Sequence, residues 1–155
     1  MKSHRISRKA AYAFPEDYLP YLVARASFVI LRDFHALLKP RRMRVPEWRV
    51  LATLSAGGAY TVGALARATL FKQPTLSKLL DRLERRGLLR RVAGGMDLRL
   101  SLVELTARGR KRIGPVVAQA RRREKVVLRD YRVRDVKAFK GLLKTFIAGF
   151  GRKAR

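Results

Sequence analysis

The chain has 155 residues, 37 of them Lys or Arg and 11 Asp or Glu, which gives a formal net charge of +26. Hydrophobic residues make up 48%, enough for a core and against wholesale disorder, and there is no cysteine, which excludes disulfides, thiolate metal sites and thiol redox chemistry. That much positive charge on a folded chain of one domain's length calls for a polyanionic partner.

Residues 1–14 read as a flexible basic arm, with Lys2, Arg5, Arg8 and Lys9. No apolar run follows these residues, so the arm does not read as a signal peptide. The longest stretch free of charge, Val50 to Ala66, has 17 residues and is broken by Gly57-Gly58. A spanning helix needs about 20 apolar residues. A soluble, cytoplasmic protein without a membrane partner is expected.

Pro15 and Pro20 lead into a first helical segment, residues 15–44, that is apolar almost all round from Tyr21 to Leu38. Leu22, Val23, Ala26, Val29, Ile30, Phe34, Leu37 and Leu38 form its main stripe, with Phe28 and Leu31 off it. Such a helix must be covered on more than one side. Pro46 opens a second helix carrying Trp48, Leu51 and Leu54, and Gly57-Gly58 stop it. Thr61 caps a short third helix, Val62 to Thr69, with Leu65 and Ala66 inward.

Residues Leu70 to Gln73 make a turn, and Pro74 starts a fourth helix that runs to Arg86, with Gly87 as its stop. Leu88–Val92 and Arg99–Leu105 read as two short strands joined by the loop Ala93 to Asp97. Thr106 caps a long helix with Ile113, Val116, Val117, Ala120, Val127 and Leu128 on one stripe; Gly114-Pro115 should kink or interrupt it. A last helix, about Val133 to Phe150, carries Val136, Phe139, Leu143, Phe146 and Ile147.

Val62 to Leu105 therefore read as short helix, tight turn, longer helix and hairpin: a winged helix-turn-helix for duplex DNA, within a DNA-binding domain of residues 45–105. Leu76, Leu79, Leu80 and Leu83 follow the helical repeat and must face the core. The opposite face shows Thr75, Lys78, Arg82 and Arg85, with Gln73 and Ser77 near the N-terminal end that meets base edges. Gln can pair twice with adenine, and Thr can touch a thymine methyl or a phosphate. On the hairpin, Arg90, Arg91 and Arg99 suit phosphates and the narrow minor groove, and Asp97 is spaced to orient Arg99.

Pro46-Glu47-Trp48-Arg49-Val50-Leu51, Leu65-Ala66, Gln73-Pro74-Thr75-Leu76-Ser77, Asp81 to Leu88, Asp97-x-Arg99 and Val103-x-Leu105-Thr106 follow one another in register. This ordered set resembles the multiple-antibiotic-resistance-regulator (MarR) family of bacterial winged-helix transcription factors, in detail over about residues 46–110. The resemblance implies a mainly α fold with a small β wing: a winged helix-turn-helix domain plus a helical dimerisation region, residues 15–44 and 106–155. It implies a homodimer on a pseudo-palindromic operator, most often a repressor that a small ligand releases. By position, Gln73, Thr75, Ser77 and Lys78 match the groove-reading stretch and Arg99 the wing arginine. Three departures stand out. Gly63-Ala64 replace a polar-acidic pair, weakening the third helix's cap; Leu98 stands where the wing often has a basic residue; Gly114-Pro115 interrupts a helix that is often continuous.

The resemblance also places ligands near the first two helices, where Phe28, Arg32 and His35 (with Arg25), Trp48 and Arg49 are candidates. Cations beside aromatic rings suit an aromatic carboxylate or a CoA thioester. No enzyme is expected: the two histidines, His4 and His35, are far apart, and no nucleophile motif, phosphate loop or carboxylate cluster stands out. No metal or cofactor is expected either. The rival readings are a ligand-independent architectural protein coating DNA by charge, and, less favoured, an RNA binder, for which no aromatic strands offer a stacking platform.

Overall fold

The computed structural model describes residues 14–94 and 97–153, with side chains for all of these except 33, 97–100 and 150–153. Most of the basic arm, residues 1–13, lies outside the described residues. The described chain groups into two units, meeting at Val45 and Pro46.

The first unit is built on α1, Leu19–Leu38, with Pro20 in its first turn where a missing N–H costs nothing. A short 3-10 turn, Lys39–Arg41, ends it, and Arg42 leaves in the left-handed region at φ 46°. The all-round apolar character predicted for this helix is what the structure leaves uncovered: Phe28 is 70% exposed, and Leu22, Val29 and Ile30 are exposed as well.

The second unit holds the remaining elements: α2 (Val45–Gly57), β1 (Tyr60–Thr61), α3 (Val62–Thr69), α4 (Gln73–Arg85), β2 (Leu89–Gly94), β3 (Asp97–Leu105), α5 (Ala107–Val127) and α6 (Val133–Lys153). Its core is mostly leucine: Leu51 and Leu54 of α2, Leu65 of α3, Leu76, Leu80 and Leu83 of α4, Leu89 and Leu105 of the sheet. Ile113 and Val116 of α5 complete it. Each such side chain contributes about 1.5–3 kcal/mol by leaving water.

Three strands form the sheet where the sequence shows two. Its order is β1-β3-β2, antiparallel throughout, with Tyr60 opposite Val103 and Leu89 opposite Leu105. A two-residue strand has no period of its own; β1 exists because β3 offers it an edge. The hairpin arms also run further than predicted, to Gly94 and from Asp97.

Three caps set the joints. Thr61 Oγ1 accepts a hydrogen bond from the Ala64 N–H at 3.2 Å, so the cap of α3 forms despite Gly63-Ala64. Gly87, at φ +66°, ends α4 in the left-handed region, and the Leu88 N–H returns to the Leu83 carbonyl at 3.0 Å. Thr106 works twice: its Oγ1 accepts from the Gly109 N–H at 3.0 Å and its hydroxyl donates to the Gly87 carbonyl at 2.7 Å. The start of α5 is thereby tied to the end of α4.

The expected break at Gly114-Pro115 does not occur, for α5 runs through Pro115 without interruption. Proline disfavours a helical residue before it partly through a clash with that residue's Cβ. Gly114 has none, and both residues are exposed, so water can reach the carbonyl that Pro115 leaves without an N–H donor.

A contrast between two glycines tests this packing. A Cβ at Gly109 would lie 1.9 Å from the Leu88 carbonyl oxygen, whereas one at Gly141 meets nothing within 4 Å. Gly109→Ala should therefore cost about 3 kcal/mol or more of unfolding free energy. Gly141→Ala should add about 0.5–1 kcal/mol. Urea denaturation of both variants measures the difference.

Candidate nucleic-acid interface

The interface is organised by α4. Leu76, Leu79, Leu80 and Leu83 are buried as their spacing predicts. Burying that stripe turns Gln73, Thr75, Lys78, Arg82 and Arg85 to solvent, while Ser77 is half-buried at the boundary. Lys72, the N-cap residue, is extended and supplies no side-chain cap. The exposed first turn thus combines backbone N–H groups, a carboxamide and a hydroxyl, a set that reads base edges and phosphates alike.

Gln73 has a defined seat. A Cβ on Gly63 would lie 3.2 Å from Gln73 Nε2. Gly63 leaves space beside the end of the Gln73 carboxamide, which an added Cβ would press upon.

Arg91 lies on β2, as its place on the first wing strand predicts, and is paired with α4. Its Nη2 donates to Asp81 Oδ1 at 2.5 Å, its Nη1 donates to Glu84 Oε2, and its own backbone N–H donates to Glu84 Oε1 at 3.0 Å. The hydrogen bond to Asp81 and the two neighbouring carboxylates raise the Arg91 pKa above its ordinary value, against a smaller opposing effect of burial. A guanidinium held by two carboxylates is a brace between the first wing strand and α4. The sequence hides this because Asp81 and Glu84, three residues apart on α4, look like solvated charges until β2 is folded beside them. Arg90 pairs across the hairpin with Glu104, its register partner, at 2.6 Å.

A second tie lies beneath the interface. Arg86, just past α4, donates to Glu47 of α2 at 2.8 Å, and the Glu47 side chain is only 6% exposed. Leaving that carboxylate without its cation would strand a buried charge.

The side chains of Asp97 and Arg99 lie outside the described residues, although both residues belong to β3. The ligand candidates divide between the units. Phe28, Arg32 and His35 are exposed on α1, and Arg25 sits 5.6 Å from the Tyr21 ring centre. On α2, Trp48 is half-buried, and the exposed Arg49 lies over the Phe71 ring at 5.9 Å. Among the described residues there is no group of metal-ligating side chains, and no helix is long and apolar enough to cross a membrane.

Residues 43–100 match the sequence profile of the MarR family. A solved MarR family transcriptional regulator, SPO1453 from Silicibacter pomeroyi DSS-3, is 35% identical, with a TM-score of 0.77 over 89% of this chain and 98% of that one. The chain belongs to the MarR family. Among its MarR-type relatives, the HTH-type transcriptional repressor IacR of Pseudomonas putida is 29% identical over 98 residues, 63% of this chain and 59% of IacR. The matched part thus spans about three-fifths of that relative's length. The repressor CouR, solved bound to a 23-mer DNA duplex, is 26% identical, with a TM-score of 0.69 over 84% of this chain and 93% of that one. MarR proteins are transcriptional regulators rather than enzymes.

The brace yields a prediction with a definite sign. Asp81→Asn and Glu84→Gln each remove a negative charge next to the interface. If Arg91 bound phosphate directly, both variants would bind DNA more tightly. As a brace partner, each is expected to weaken binding several-fold, and Arg91→Ala about tenfold, with unfolding free energy changed by about 1 kcal/mol at most. Arg91→Lys should recover little, because an ammonium lacks the planar fork that meets both carboxylates. Fluorescence anisotropy and urea denaturation of the four variants decide it.

Proposed function

We propose that the chain is a homodimeric repressor that binds a pseudo-palindromic duplex operator and is released from it by a small aromatic ligand. The observation that carries the DNA reading is the face of α4 opposite its buried leucines. Gln73 and Thr75 act as base readers, and Ser77, Lys78 and Arg82 hold the backbone. Arg99 enters the minor groove, supported by Asp97. Arg91 leaves the set of DNA contacts and positions the wing. IacR is named a repressor and CouR was solved on DNA, which supports the reading without fixing the operator.

Two apolar helices support the dimer. Phe28, Val29 and Ile30 on α1, and Phe139, Leu142 and Ile147 on α6, are exposed in the single chain, Leu142 at 70%. Exposed apolar area of this extent marks an interaction surface, and a second copy burying the same elements on both chains satisfies it symmetrically. Recognition helices about one helical turn apart, ~34 Å, then face successive major grooves.

For the ligand, Phe28, Arg32, His35, Trp48 and Arg49 supply rings and cations suited to an aromatic carboxylate, as the free acid or the CoA thioester. The thioester is the preferred form, because its phosphates also answer the excess positive charge.

Selection of duplexes from a random pool, followed by footprinting, tests the reading. A symmetric protected site is expected; a uniform smear overturns it in favour of an architectural protein. Gln73→Ala and Thr75→Ala should shift base preference by about 1–3 kcal/mol at their positions. Lys78→Ala and Arg82→Ala should weaken all sequences and lower the slope of log K against log salt by about 0.9 per phosphate. Leu142→Lys should shift the sedimentation equilibrium toward monomer. Release by an aromatic acyl-CoA but not by bare CoA supports a pocket for the thioester; equal release by both means polyanion competition.

A further inference from the structure

The charge is not where the base-reading helix is. Residues 45–105, the whole winged unit, hold 10 basic and 5 acidic residues, a net +5. Residues 106–155 hold 17 basic and 3 acidic residues, a net +14. Operator reading as proposed above draws on the first set and does not use the second.

Much of the second set is ordered along α5. Ile113, Val116, Ala120 and Val127 share one side of this helix at spacings of 3, 4 and 7; Ile113 and Val116 are fully buried and Ala120 half-buried. Lys111, Ala118, Arg122 and Lys125, at spacings of 7, 4 and 3, fall on the opposite side, flanked by Arg108 and Arg121, and all six are exposed. Between the basic ends lie Gly114, Pro115 and Ala118, small and exposed, and a Cβ at Gly114 would meet nothing within 4 Å. The face thus has a shallow middle and two cationic ends, Lys111 and Arg121-Arg122, about 15 Å apart at 1.5 Å per residue.

The carboxylates of this region are turned elsewhere. Glu124, the one acid on α5, pairs with Lys140 of α6 at 2.8 Å. Asp130 and Asp135 lie beyond α5 and pair with their neighbours Arg129 and Arg134. Nothing acidic on α5 therefore offsets its solvent face.

We propose that the solvent face of α5 is a second DNA surface, which binds the phosphate backbone without reading sequence. Its cationic ends reach the two phosphate strands bordering a groove, whose major form is about 12 Å wide, and its small middle lets the helix backbone approach. Lysines and arginines without base-reading side chains between them give salt-dependent, sequence-tolerant attraction. The face also continues the basic line of α4: the Arg108 side chain lies over Gly87, two residues past the exposed Arg85. The phosphates come either from duplex flanking the operator or from a separate duplex, and the chemistry is the same for both.

The test replaces Lys111, Arg121, Arg122 and Lys125 together by Gln in the full chain, with circular dichroism as the check on folding. Three duplex probes are titrated across a range of salt: the selected operator alone, the operator with ten base pairs added on each side, and a labelled operator-free duplex offered to a preformed protein–operator complex. The wild type should gain affinity from the added flanks or recruit the third probe. The variant should lose that gain or recruitment by tenfold or more at low salt, with a salt slope smaller by about 0.9 for each phosphate it no longer neutralises. Its preference for operator over scrambled duplex of equal length should persist. Loss of the flank effect assigns the face to neighbouring phosphates, and loss of recruitment assigns it to a second duplex. Unchanged slopes and unchanged behaviour with both probes overturn the proposal. The operator-reading function stands apart from this: it fails only if the wild type selects no operator at all.

Discussion

One constraint orders the molecule: four leucines on a 13-residue helix must leave water together. Leu76, Leu79, Leu80 and Leu83 have one solution, with α4 rolled onto the core formed by α2, α3, the sheet and α5. That roll fixes which residues remain outside. Gln73, Thr75, Lys78 and Arg82 form a coherent face because they are what the apolar stripe leaves over. The exposed polar face of α4 is thus held by hydrophobic burial, the least salt-sensitive term available to so basic a protein.

Electrostatics then refine what burial has positioned. The few carboxylates of the winged unit are used as fasteners. Glu47 fixes the end of α4 to α2 through Arg86, Asp81 and Glu84 clasp Arg91 of β2, and Glu104 holds Arg90 across the hairpin. In a chain with 37 cations and 11 acids, an acid is the scarcer resource, and its position decides which arginines are structural. An arginine without such a partner stays available to phosphate. The division of labour among basic residues is therefore written in the placement of the acids.

The two faces of α5 extend the same logic. Its apolar side completes the core of the winged unit, and the hydroxyl of Thr106 locks its first turn to the end of α4. A helix so anchored presents its outer residues in a fixed direction relative to α4. The helices α1 and α6 instead expose bulky apolar side chains such as Phe28 and Ile147.

The helices, their stops and the polar face of α4 follow from the amino-acid sequence alone, because each rests on local rules: the period of 3.6, the cap at Thr61, the left-handed stop at Gly87. The order of motifs was also enough to point to the family. Matters of long-range pairing were not legible in the same way. The strand at Tyr60-Thr61 exists only beside β3. The clasp of Arg91 by Asp81 and Glu84 forms only when the neighbouring helix is brought beside β2. Gly63 reads as a weakened cap until Gln73 is seen to occupy the space beside it, and Gly114-Pro115 reads as a break until exposure of both residues shows why the helix can continue. In each case the chain carries the groups and folding brings the partner, because an ion pair, a strand edge or a steric fit is a property of two segments at once.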